Sequence, residues 1–84
     1  MDNQNTLIFS YEDDEEKEIR ENLTLVYDAL AEKGYNPINQ IVGYLLTEDP
    51  TYITTNKNAR SVMRRMDRDD ILTVLVRRFL NDRR

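Results

Sequence analysis

The chain reads as an all-α protein: a compact bundle of four main helices, with a flexible acidic N-terminal tail, assembled as a dimer. Three observations carry that expectation. Apolar residues recur at three- and four-residue spacing in separate stretches, the signature of amphipathic helices. Between Lys33 and Pro50, KGYNPINQIVGYLLTEDP is a helix stop, a short turn and a helix start. Finally, 84 residues make one small domain that buries a modest share of its surface. Lacking cysteine and histidine, it has no disulfide and poor metal ligands to help it, so a second copy is the remaining aid. A well-packed helical monomer stays open as the alternative.

Residues 1–13 read as the tail and 14–84 as a single helical domain. Asp2 to Asn5 is polar, and Glu12 to Glu16 is a run of like charges expected to be solvated. Between them Leu7, Phe9 and Tyr11 alternate with Thr6, Ile8 and Ser10, a strand-like pattern of few residues. This patch either stays free or docks on the helical body.

The first helix is expected over about Asp14 to Lys33. Acidic residues occupy its first turn, facing the positive end of the helix dipole, and Lys33 stands at the other end. Ile19, Leu23, Val26 and Leu30 make one apolar stripe. Gly34 then supplies the left-handed residue that ends a helix. Asn36 caps the second helix and Pro37 takes its first position, where a missing N–H costs nothing. Ile38, Ile41, Val42, Leu45 and Leu46 recur along it, and Gly43 leaves room for another backbone to approach. Asp49-Pro50 closes it, because a residue before proline is pushed out of the helical region.

A short fifth turn fits Pro50 to Ile53, with Tyr52 and Ile53 plugging the core. Thr54 or Thr55 caps a third helix over about Asn56 to Met66, with Ala59, Val62, Met63 and Met66 inward. Asp67 caps the fourth, with Asp70 three positions on, close to a capping box. Ile71, Leu72, Val74, Leu75, Val76, Phe79 and Leu80 then place seven large apolar residues in ten, more than one stripe. Such a helix is buried on several sides. A homodimer through the second and fourth helices, using Ile41, Leu45, Leu72, Leu75, Val76 and Phe79, would provide that cover.

Charge is unevenly distributed. Residues 1–56 hold twelve acidic and three basic side chains, a net of −9, whereas residues 57–84 hold four acidic and nine basic, a net of +5. The halves can pair within one chain or between copies, or be solvated faces. No apolar run reaches the ~20 residues that span a bilayer, and no secretory leader pattern opens the chain, so the expected location is the cytoplasm without membrane insertion.

No catalytic constellation stands out, and no cofactor is expected. Acid–base and nucleophilic sites draw most often on His or Cys, and neither is present. The carboxylates at 13–16 lack the loop and glycine of a calcium site, and no phosphate-cradling glycine loop occurs. Modification by a kinase has better grounds, since it needs a hydroxyl in a reachable segment. Thr6 and Ser10 lie in the tail, Thr24, Ser61 and Thr73 within helices, and Thr47, Thr51, Thr54 and Thr55 near the connector, where they double as caps.

GYNPINQIVGYLL, followed by an acidic-Pro turn, Tyr52 and a basic helix ending in Arg64-Arg65, resembles the IreB family of small regulatory phosphoproteins of Gram-positive bacteria. The likeness runs from about Thr6 to about Leu80. It implies a non-enzymatic substrate of a transmembrane Ser/Thr kinase with PASTA repeats, opposed by a cognate phosphatase. It further implies an output on envelope stress and cephalosporin tolerance, through a downstream protein the sequence does not name. Thr6 matches one family acceptor threonine and Ser10 is the second choice. The other family acceptor falls on Asn3, which cannot be phosphorylated.

A phosphate on Thr6 would add about −1.5 to −2 charges, repelled by the nearby acidic run and attracted by Arg60, Arg64 and Arg65, so that the tail either clamps onto the basic third helix or is expelled from the body; with Lys57 these arginines form the candidate basic interaction face. Two rival readings remain at this level. The third and fourth helices with Lys57, Arg60, Arg64, Arg65 and Arg68 superficially suggest a nucleic-acid-binding helix-turn-helix, against an acidic pI of about 4.7 and four nearby aspartates. The wide apolar faces of the second and fourth helices also suit a peptide-binding adaptor.

Overall fold

The computed structural model describes residues 14–81, which form four α-helices and two short 3-10 turns, with no strand among the described residues. Thr6 and Ser10, the tail boundary and the strand-like patch lie outside them. The helices are α1 (Asp14–Glu32), α2 (Pro37–Thr47), α3 (Ala59–Arg65) and α4 (Arg68–Asn81). The 3-10 turns Pro50–Tyr52 and Asn56–Asn58 lie between α2 and α3.

The elbow between α1 and α2 follows local rules. Gly34 has φ +85°, and the amides of Gly34 and Tyr35 donate to Ala31 and Leu30 carbonyls at 3.0 and 3.1 Å, a Schellman closure. Asn36 sits in the extended region and its side-chain oxygen accepts from the Asn39 amide at 3.1 Å. Pro37 opens α2. Such a cap is worth about 1 kcal/mol over alanine.

The end of α2 differs from expectation. Glu48, not the Asp-Pro pair, terminates it, in the left-handed region at φ 59° with its amide on the Tyr44 carbonyl at 2.7 Å. Asp49 is extended, as its place before Pro50 requires, and caps the 3-10 turn by accepting from the Thr51 amide and hydroxyl at 3.0 and 2.7 Å. Gly43 also serves another purpose than the one inferred. What lies over it is the Tyr52 ring, not a backbone, and a Cβ at 43 would overlap that ring. Ile53 plugs the core completely, while Tyr52 remains partly exposed across α2.

The third helix starts three residues later than expected. Lys57 and Asn58 are both left-handed, at φ 54° and 62°, so no α-helix can run through them. The Thr54 hydroxyl accepts from the Asn56 amide at 3.1 Å, and Thr55 makes no side-chain cap. Long-range bonds hold this kink. Asn56 Nδ2 donates to the Ala29 carbonyl at 3.1 Å and to Glu32 Oε1 at 2.7 Å. Arg60 Nε donates to the Ile53 carbonyl at 2.8 Å, and Gln40 Nε2 to that of Tyr52 at 3.0 Å. At the start of α4, Asp67 accepts from the Asp69 amide at 2.9 Å.

The core is continuous. Ile19, Val26, Ala29 and Leu30 of α1 meet Tyr44 and Leu45 of α2 and Ile53 of the connector. Ala59, Val62 and Met63 of α3 and Ile71 and Val74 of α4 complete it. Leu23, Ile41 and Met66 are partly buried at its margin.

Candidate functional site

Three amphipathic helices that do not fully close against one another leave a groove. Along α1, Ile19, Leu23 and Tyr27 step by four and present one wall. Along α2, Ile38, Ile41, Val42 and Leu45 form the second, and Val74 and Leu75 of α4 the third. The groove has a volume of about 550 Å3, and its polar members are Glu16, Arg20, Thr24 and Arg78. Ile38, Val42 and Leu75 remain exposed there, an apolar surface left unburied by the described residues.

Glu16 overturns the expectation that the 12–16 acidic run is wholly solvated. It is only 4 % exposed, at the α1 end of the groove. Arg78 Nε lies 3.2 Å from its Oε2 and Arg77 Nη1 3.7 Å from its Oε1. A buried carboxylate needs such partners, because desolvation of an unpaired charge costs several kcal/mol, on the order of 3–5 when one partner is removed. The pair ties α4 to the start of α1.

The residues assigned to a dimer interface divide into two groups. Leu75 and Ile41 line the groove, Leu75 still 40 % exposed there, and Leu45 belongs to the core beneath it. Leu72, Val76 and Phe79 follow four- and three-residue steps on a different side of α4, all exposed, Phe79 by 79 %. On α2, Leu46 stands out by 76 % and takes no part in the groove. Thus Ile71 and Val74 of α4 are buried in the body, Leu75 lines the groove at 40 % exposure, and Leu72, Val76 and Phe79 are exposed outside it. Such exposed patches mark interaction surfaces.

Several members of the basic face have partners within the chain. Arg60 spends its guanidinium on the Ile53 carbonyl, and Lys57 Nζ pairs with Glu32 Oε2 at 3.4 Å. Arg65 shares a shallow depression with Glu15, Glu18, Asp67 and Asp70, which offset its charge. Arg64 is exposed. Arg68, the further candidate for phosphate contact, donates from Nη1 to the Leu45 carbonyl at 2.7 Å and pairs with Glu48 at 3.4 Å. It satisfies one of the last carbonyls of α2, which have no intrahelical partner.

Two carboxylates titrate below their ordinary range. The Asn56 side-chain hydrogen bond, then the Lys57 charge, lowers Glu32. The Thr51 hydroxyl, then its amide, lowers Asp49. Both belong to the connector's scaffolding, away from the groove. Among the described residues, no cluster of three or more His, Cys, Asp or Glu is placed to hold a metal ion. No helix among them is long and apolar enough to cross a membrane.

Fold and site together define a small helical protein whose most prominent surface is an apolar groove rather than a polar catalytic cleft. Comparison with known proteins then fixes the lineage. The chain belongs to the IreB regulatory phosphoprotein family, whose model matches residues 4–81, a span that takes in Thr6 and Ser10. It is similar to a UPF0297 protein of Ruminiclostridium cellulolyticum, 51 % identical over 77 residues, covering 92 % of this chain and 88 % of the relative. A UPF0297 protein of Acetivibrio thermocellus is also 51 % identical, over 82 residues, covering 98 % of this chain and 91 % of the relative. A regulatory role follows from that membership.

Proposed function

We propose that this chain is a non-enzymatic cytoplasmic phosphoprotein, modified on Thr6 by a transmembrane PASTA-type Ser/Thr kinase and reset by a cognate phosphatase. Its output is a change in envelope stress response and cephalosporin tolerance, exerted through a downstream protein. The observation that carries this reading is the family match over residues 4–81, described as a regulatory phosphoprotein and spanning Thr6. The helical body is the platform. Its outward stripe of Leu72, Val76 and Phe79 is the surface on which two copies associate, since that much exposed apolar area on a small domain favours self-association.

The peptide-binding reading draws support from the groove. Nucleic-acid binding loses ground, because Lys57, Arg60 and Arg68 are engaged within the fold. The test is phosphosite mapping after incubating the whole chain with such a kinase, alongside a Thr6→Ala variant. Modification should fall on Thr6 and be lost in the variant, except for any minor product at Ser10. An unmodified wild type, or phosphate on Thr24, Ser61 or Thr73 of the helices, would overturn it.

A further inference from the structure

We infer that the distal half of α4, residues 75–81, is a hinged flap beside the groove, and that Glu16 of α1 is the latch that holds it shut through Arg77 and Arg78. Neither the family assignment nor the phosphorylation reading is needed for this.

The helix divides at Val74. Its first half is anchored, because Ile71 and Val74 are buried in the core and Arg68 bonds to the Leu45 carbonyl. Past Val74 no residue up to Asn81 is buried, and Arg78 is half-buried. Leu75, Val76, Phe79 and Leu80 are all exposed. Segments with few buried apolar contacts open at lower free energy than the core. Isolated helices shorter than about 12–15 residues are marginal in water. Once parted from the body, so short a stretch therefore unwinds.

Charge fastens it. Arg78 Nε lies 3.2 Å from Glu16 Oε2 and Arg77 Nη1 3.7 Å from Oε1, and both arginines belong to the distal half. Glu16 stands in the first turn of α1 with its side chain almost wholly buried, whereas both arginines keep an exposed side. With the flap shut, solvent screens the carboxylate's attraction little. With the flap open, all three charged groups regain water, which offsets much of the lost attraction. A fastening of this kind is reversible.

Opening changes the groove. Leu75 and Arg78 are part of its third wall, and Val74 lies at the hinge. Their departure bares Leu45 and Val74, which are buried while the flap is shut. The latch thereby couples the first turn of α1 to access into the groove.

The test is amide hydrogen exchange on the whole chain in dilute solution. In the wild type, exchange at Phe79 and Leu80 should respond little to dilute urea, the sign of a small local opening, while Met63 responds steeply. Glu16→Lys sets a like charge against both arginines. It should quicken exchange at Phe79 and Leu80 by about tenfold or more, with Leu30 and Met63 still protected. Adding Arg77→Glu and Arg78→Glu restores opposite charges and should return the distal protection. A soluble paramagnetic probe should broaden the methyl signals of Leu45 and Val74 in Glu16→Lys and spare them in the wild type. Should Glu16→Lys not fold, Arg77→Gln with Arg78→Gln removes the same pairs from the exposed side, with the same distal quickening expected. A distal urea response as steep as that of Met63, unchanged distal rates, or protection lost at Leu30 and Met63 together with Phe79 would each overturn the latch. So would a reversed pair that restores nothing, or a probe that reaches neither methyl.

Discussion

Gly43→Ala reverses its sign depending on what stands opposite, and this tests the packing between α2 and the connector. In an isolated helix the change is favourable by about 0.5–1 kcal/mol, because alanine loses less backbone entropy than glycine. Here the new Cβ overlaps the Tyr52 ring. The ring cannot withdraw freely. Its own carbonyl is held by Gln40 Nε2 at 3.0 Å, and the next residue, Ile53, is fully buried and bonded to Arg60. Forcing an extra methyl into such a contact costs about 1–3 kcal/mol. The helical gain subtracts from this, so Gly43→Ala should destabilise the protein by about 0–2.5 kcal/mol overall. With Tyr52→Ala the obstacle is gone, and the same substitution should stabilise by up to about 1 kcal/mol. The assay is a double-mutant cycle in urea, comparing midpoints at constant slope. Equal effects of Gly43→Ala in both backgrounds, or a gain in the wild type, would refute the contact between residue 43 and the ring.

Three further outcomes follow from the same structure. Ile53→Ala empties a fully buried site on a connector, so it should cost about 2–5 kcal/mol, read from the denaturation midpoint. Glu32 and Asp49 have folded pKa values lowered from 4.5 and 3.8. Their contribution is therefore complete above those ordinary values and is lost as pH falls through the lowered folded ones. Stability measured across the acid range should drop there, and Glu32→Gln should flatten part of the drop; an unchanged profile would dismiss Asn56 and Lys57 as its partners. Phe79→Asp changes a side chain that is 79 % exposed, so helical content should hold while sedimentation shows loss of the proposed dimer. A monomeric wild type would remove that proposal.

Short-range rules made most of the helical frame legible. A left-handed Gly34, an Asn36 cap before Pro37 and an Asp67 cap each act within a few residues. The apolar stripe of α1 reads directly as core, since its spacing alone selects one helical face. The groove was legible only as an excess of apolar residues on α2 and α4. Periodicity reports which side of a helix is apolar, but not which neighbour covers it. Nothing in the residue order therefore separated Leu75, which lines the groove, from Val76, which turns away from it.

Sequence by itself determined four amphipathic segments, the α1–α2 elbow and the absence of a His- or Cys-based site. These depend on backbone preference and on composition, which neighbouring residues settle. Tertiary structure decided the rest. Lys57 disfavours left-handed angles, yet takes them because Asn56 is tied to Ala29 and Glu32 on one side and Arg60 to Ile53 on the other. Glu16 looks like one more solvated acid in a charged run until α4 brings Arg77 and Arg78 to it. Burial and ion pairing belong to elements distant in the chain, and only their packing supplies the low-dielectric surroundings in which those charges must meet.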